Sequence, residues 1–172
     1  VAGSPFIVIE LFEVPPEHFG WFFGINAIGM IAGSQINANL ATRYGPEKVL
    51  KHVIWIPFVA SLLGFSSAVL QFDSLPLLML CFFAFMTSMG LLSPNAMALA
   101  MASQGHRAGS ASAIMGAIQF LIGTLGATVI SFWPLPNAIP LMTVMLISTA
   151  GSLFFFLLGK KNTGIDRART EP

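Results

Sequence analysis

The sequence predicts an all-α, polytopic membrane protein, and three observations carry that expectation. Of its 172 residues 55% are hydrophobic and only 9% are charged, against roughly a quarter charged in an ordinary soluble domain. Eight Lys and Arg with seven Asp and Glu could not supply a polar shell for a soluble globule of this length, so the solvent for most side chains is lipid. Uncharged apolar stretches long enough to cross a bilayer recur along the chain, and the charged residues fall between them.

A spanning helix needs about 20 mostly apolar residues, and five such spans are expected. The first runs from about 19 to 41, the second from 53 to 70 and the third from 75 to 97. The last uncharged stretch, 108 to 159, is too long for one crossing. Trp133, Pro134, Leu135, Pro136, Asn137 and Pro140 break it, because this composition cannot continue a helix. Spans four and five are therefore about 109–131 and 139–158. Pro94, inside span three, and Pro57, in span two, each remove a backbone donor, and a local kink is expected at both.

Orientation follows from the cations, since short cytoplasmic loops hold Lys and Arg preferentially. Arg43, Lys48 and Lys51 lie between spans one and two, Arg107 between three and four, and Lys160, Lys161, Arg167 and Arg169 after span five. The opposite side receives Glu10, Glu13, Glu17, Asp73 and the Pro-rich turn. Five spans thus run from outside to inside, and the C-terminus is expected in the cytoplasm. An outside start calls for something upstream, and Val1 to Phe12 reads as the last turns of an earlier helix. The chain begins without Met, a basic n-region or a cleavage pattern, so its start is not expected to be the biological one. The unit expected is 1–161, followed by a cytoplasmic tail, 162–172, with too little apolar surface to fold.

Lipid tails give helices no hydrophobic reason to associate, so small residues that allow close approach matter more than in water. Span one has Gly29 and Gly33; span four has Ala108, Ser112 and Gly116 in series beside Gly109, Ala113 and Ala117. Both are expected to approach a neighbour closely, whether as static packing or as faces that slide. No Asp, Glu, Lys or Arg lies in the middle of a complete span, so an ion-coupling group is expected elsewhere; Glu10, the nearest, reads as an interfacial carboxylate.

Neutral amides remain as candidate site residues. Gln119 near the middle of span four, Asn26 on span one and Asn95 after Pro94 are the expected substrate-binding residues. The reason is that an amide at membrane depth needs a partner, which a neighbouring helix or a substrate in a wet cavity can supply. No catalytic, cofactor-binding or metal-binding residue is expected. Cys81 is alone in an apolar run, and His18, His52 and His106 are far apart in sequence, without ligand spacing. The spans hold serines but no His or acid at comparable depth to activate one, which argues against an intramembrane enzyme. A net charge of +1 without a basic stripe gives no reason to expect nucleic acid as a partner.

Three segments resemble one known family. They are Gly33-Ser34-Gln35-Ile36-Asn37-Ala38-Asn39-Leu40 followed by Arg43-Tyr44-Gly45-Pro46; Pro94-Asn95-Ala96; and Gly105-His106-Arg107-Ala108-Gly109-Ser110-Ala111-Ser112-Ala113, continuing to Gly116 and Gln119-Phe120. Together they are similar to the Bcr/CflA drug-resistance transporters of the major facilitator superfamily, and Gly3-Ser4-Pro5-Phe6 looks like the outer end of that family's seventh helix. Arg43 to Lys48 resembles the superfamily's short cytoplasmic loop motif, with Thr42 standing where an acidic residue would precede the Arg.

The resemblance implies the second half of a twelve-helix carrier, with a cavity between two six-helix halves and access alternating by rocking. It implies proton-coupled efflux of small amphipathic molecules or drugs across the bacterial inner membrane. In similar proteins that coupling depends on acidic residues and an antiporter motif of the N-terminal half, which would be this chain's missing partner; alone it is expected to be inactive. A metabolite or sugar exporter on the same fold, and a non-transporting assembly or receptor protein, are the alternatives.

Overall fold

The computed structural model describes residues 15–71, 74–102, 104–132 and 138–170, without the side chains of 16–19, 106 and 160–170. The expected upstream helix end, Asp73 and the Pro-rich turn 133–137 lie outside the described residues. Among those described there are helices and turns and no strand. The helices are α1 (Pro16–Tyr44), α2 (Pro46–Val53), α3 (Trp55–Val69), α4 (Leu75–Met101), α5 (Ala108–Ser131) and α6 (Ile139–Thr170). A 3-10 turn, Gly105–Arg107, leads into α5.

By length and composition, four helical stretches among the described residues can cross a membrane: Pro46–Val69, Leu75–Met101, Ala108–Ser131 and Ile139–Gly159. The 29-residue α1 is long enough, but Asn26, Ser34, Gln35, Asn37 and Asn39 make it more polar than the others. The expected all-α, polytopic fold is observed, with four strongly apolar helical stretches and one long, polar-rich helix among the described residues. The helix α6 continues to Thr170, so the described backbone of 162–170 is helical. A helix closes its hydrogen bonds within itself and needs no apolar partner to do so.

Local sequence explains the breaks. Gly45 has φ +84°, a conformation costly for side chains with a Cβ, and Pro46 then opens α2 at a position where its missing N–H costs nothing. Pro57 cannot donate to the carbonyl of Val53, and the chain is interrupted at Ile54 between α2 and α3. Pro94, by contrast, lies within α4, which runs unbroken to Met101.

Contacts fix the directions. Gly29 faces Phe83 and Thr87, Gly33 faces Thr87, and Asn37 meets Asn95, so α1 and α4 run parallel. Gly64 faces Met142 while Ser61 Oγ lies 2.8 Å from Thr149 Oγ1, so α3 runs antiparallel to α6. One apolar cluster joins Leu78 and Phe82 to Leu141, Met142 and Met145; another joins Leu91 and Leu92 to Val49, Val53, Ile54 and Leu153. With α6 therefore parallel to α4, the C-terminal ends of α1, α4 and α6 share one end of the bundle. Arg43 lies in the last turn of α1, Lys48 and Lys51 in α2 directly after it, and Arg107 beyond the end of α4, so all four gather at that end.

Candidate functional site

The seam between α1 and α4 is built on three glycines. A Cβ on Gly29 would lie 2.6 Å from both Phe83 Cε2 and Thr87 Oγ1, one on Gly33 would strike the Thr87 carbonyl, and one on Gly90 would strike the Met30 carbonyl. Backbone meets backbone here, as small residues permit in lipid. The close approach expected of span one is observed, with Gly90 as a contributor that span-by-span reading missed. Its signal was the missing donor at Pro94, which leaves the Gly90 carbonyl without its usual helical partner.

Deeper along the seam, Asn95 is 1% exposed and Asn37 4%. Asn95 Nδ2 donates to Asn37 Oδ1 and to the Leu91 carbonyl at 2.7 Å. Asn26 is half-buried and donates to the Phe22 carbonyl at 2.8 Å. Among the described residues three buried polar atoms lack a partner, Asn26 Oδ1, Thr87 Oγ1 and Asn95 Oδ1, and all belong to these two helices.

Gln119 stands elsewhere. It lines an open groove of about 560 Å³ between α2, α4, α5 and α6, with Ile54 at the α2–α3 break, and its side chain makes no hydrogen bond among the described residues. Ser93 and Ser152 are the other polar residues of this wall. Leu92, Ile118 and Phe156 supply apolar surface, and three methionines, Met89, Met97 and Met115, add side chains that adapt to irregular shapes. The structure thus brings Gln119 together with Ser93 and Ser152, and it does not bring Asn26 or Asn95 to the same wall. Ser152 and the methionines were invisible as a set in the sequence, because they come from separate helices.

The helix that carries Gln119 is the least covered one. No residue of α5 is buried, Phe120 is 82% exposed, and a Cβ on Gly109, Gly116 or Gly123 would meet nothing within 4 Å. Close packing expected at Gly109 and Ser112 is therefore not supplied by the described residues; Ser112 Oγ instead donates to the Gly109 carbonyl at 2.9 Å. Thr42, in the corner between α1 and α2, likewise turns back on its own helix, donating to the carbonyls of Ala38 and Asn39 at 3.0 Å.

No group of three or more His, Cys, Asp or Glu able to hold a metal occurs among the described residues. Cys81 is a buried free thiol.

Two relatives give these features a context. The chain is 30% identical over 165 residues to YdgK, an uncharacterized MFS-type transporter of Bacillus subtilis, a match covering 95% of this chain and 40% of that protein. It is 27% identical over 145 residues to a bicyclomycin resistance protein homologue of Haemophilus influenzae, covering 84% of this chain and 36% of that one. The chain spans well under half the length of either relative. No family profile matches it, and no solved structure does. The similarity to these two proteins bears out the resemblance drawn from the three motifs, and with the helical fold it supports a multi-pass membrane protein.

Proposed function

We propose, on this similarity, that the chain is the second half of a secondary transporter that exports small amphipathic molecules across the bacterial inner membrane in exchange for protons. The observation that carries the reading is the groove around Gln119: about 560 Å³, largely apolar, edged by an amide and two hydroxyls and by three methionines. A binding wall of that kind holds varied apolar molecules loosely and orients them by few polar contacts. The bicyclomycin resistance homologue supports a drug-like substrate class.

In this reading the uncovered α5 turns its small residues and Gln119 toward the other half of the carrier, so the groove is one wall of a larger central cavity. Asn26 reaches that cavity on rotation of its amide, since its unpartnered Oδ1 is buried within this half. Asn95 acts on its inner end indirectly, by holding α1 against α4. The proton-carrying group lies in the other half, since no acid occupies the middle of a complete span. The cation-rich end of the bundle faces the cytoplasm, as positive-inside sorting requires.

The test uses the complete gene. Everted membrane vesicles carrying the protein should take up a drug-like substrate on acidification of the lumen and release protons when substrate is added. A panel of sugars and metabolites run in parallel separates drug export from export of those compounds. Absence of substrate-dependent proton movement for every compound would sink the transport reading.

A further inference from the structure

A second groove lies at the end of the bundle that gathers the cations, between the last turn of α1 and α2. It measures about 300 Å³ and is lined by Leu40, Tyr44, Lys48, Val49, His52 and Val53. Its floor is apolar, with Val49 and Val53 buried and Leu40 half-buried. The rim is not. Lys48 and His52 stand one turn apart and exposed, and Arg43 Cζ lies 5.5 Å from the centroid of the exposed Tyr44 ring. His52 Nδ1 donates to the Lys48 carbonyl at 2.8 Å, which holds the imidazole beside the lysine. Lys51 adds a third cation to this corner, and Glu47 is its one carboxylate among the described side chains.

The groove opens where the chain enters the apolar part of the bundle. Immediately past Ile54, α3 presents Trp55, Ile56, Val59, Leu62 and Leu63 outward, all more than 40% exposed. Tryptophan at that level followed by an aliphatic strip is the pattern of a helix crossing from headgroups into hydrocarbon. An apolar slot at the end of the helix that carries this strip onward, under a rim with more positive than negative groups, matches a ligand that is apolar along its length and anionic at its head.

We infer that this corner is a binding site for an anionic glycerophospholipid, with an acyl chain along Leu40, Val49 and Val53 and the headgroup phosphate between Arg43 and Lys48. Charge complementarity selects the headgroup, and the apolar floor distinguishes a lipid from a free anion. The site depends only on the helices lying in a bilayer, so it stands or falls separately from the transport reading.

The experiment uses the intact protein from its complete gene, purified in mild detergent. Native mass spectrometry would follow titration with phosphatidylglycerol, phosphatidylcholine or inorganic phosphate. Phosphatidylglycerol should bind, and phosphatidylcholine much more weakly. Replacing the exposed Lys48 by Gln should weaken phosphatidylglycerol about fivefold, the effect of one cation near an anionic headgroup. Leu40→Trp, which fills the slot without changing charge, should weaken it as well; thermal unfolding of both variants checks that they fold. Equal binding of the two lipids, binding unaffected by Lys48→Gln, or displacement by millimolar phosphate would each overturn the assignment. So would cross-linking from a cysteine placed at Tyr44 to another segment of the same protein, because the groove would then be filled by protein.

Discussion

Asn95 and Asn37 join α4 to α1 through a hydrogen bond between two side chains that are 1% and 4% exposed. Asn95 also bonds back to Leu91 of its own helix, so the pair ties the position of one helix to the other near the Pro94 site. Removing one partner leaves a buried amide with less than it had, at a cost of about 1–3 kcal/mol. We predict that Asn37→Ala and Asn95→Ala each lower thermal stability of the intact protein in detergent. The double variant should be less destabilised than the sum of the two, with a coupling of about 0.6 kcal/mol or more. Strictly additive effects would show that the bond contributes nothing to holding the seam.

Glycines of the chain should fall into three grades. Gly33 and Gly90 have backbone carbonyls of the partner helix where a Cβ would go, so Ala at either position should sharply reduce folded protein. At Gly64 the obstacle is Met142 Sδ at 2.7 Å, a flexible side chain that can shift, and the loss should be small. Gly116 has nothing within 4 Å; Ala there should be neutral or stabilise by up to about 1 kcal/mol through helix propensity, unless the other half of the carrier packs on it. Yield and unfolding temperature in detergent give the ranking, and Gly90→Ala behaving like Gly116→Ala would contradict the seam.

The sorting of cations predicts the outcome of topology mapping. A reporter active only in the cytoplasm should give signal when fused after Lys161 and none when fused after Asp73 or Pro136. Parallel α1, α4 and α6 agree with this, since their C-terminal ends lie together. Signal from the Asp73 fusion would invert the assignment of sides.

For Gln119 the expected result is a change of selectivity. In the complete protein, Gln119→Ala should alter the rank order of exported compounds while expression stays within about twofold, because its side chain makes no hydrogen bond among the described residues and supports little of the fold. A uniform fall in export of every compound, in proportion to folded protein, would instead make it a structural residue.

Composition and the spacing of charges determined by themselves that the chain is helical and made for lipid, and they located the helices closely. The expected spans 75–97 and 109–131 became Leu75–Met101 and Ala108–Ser131. This was legible because a helix in lipid satisfies its own backbone, so its length and place are set by local sequence alone. The polarity of α1 was legible too, in the same amides that lower its hydropathy.

Only the tertiary structure decided which of these features meet. Gly29 and Gly33 were found against α4, while the similar small residues of α5 were left uncovered. Asn95 was drawn into a pair with Asn37, and Gln119 was placed on a groove with Ser93 and Ser152 instead. Neither outcome could be read from a sequence window, because a side chain's neighbour depends on how each helix is rotated and on which helix lies beside it. Those are properties of the bundle, set by backbone approach at a few glycines and by the pairing of residues dozens of positions apart.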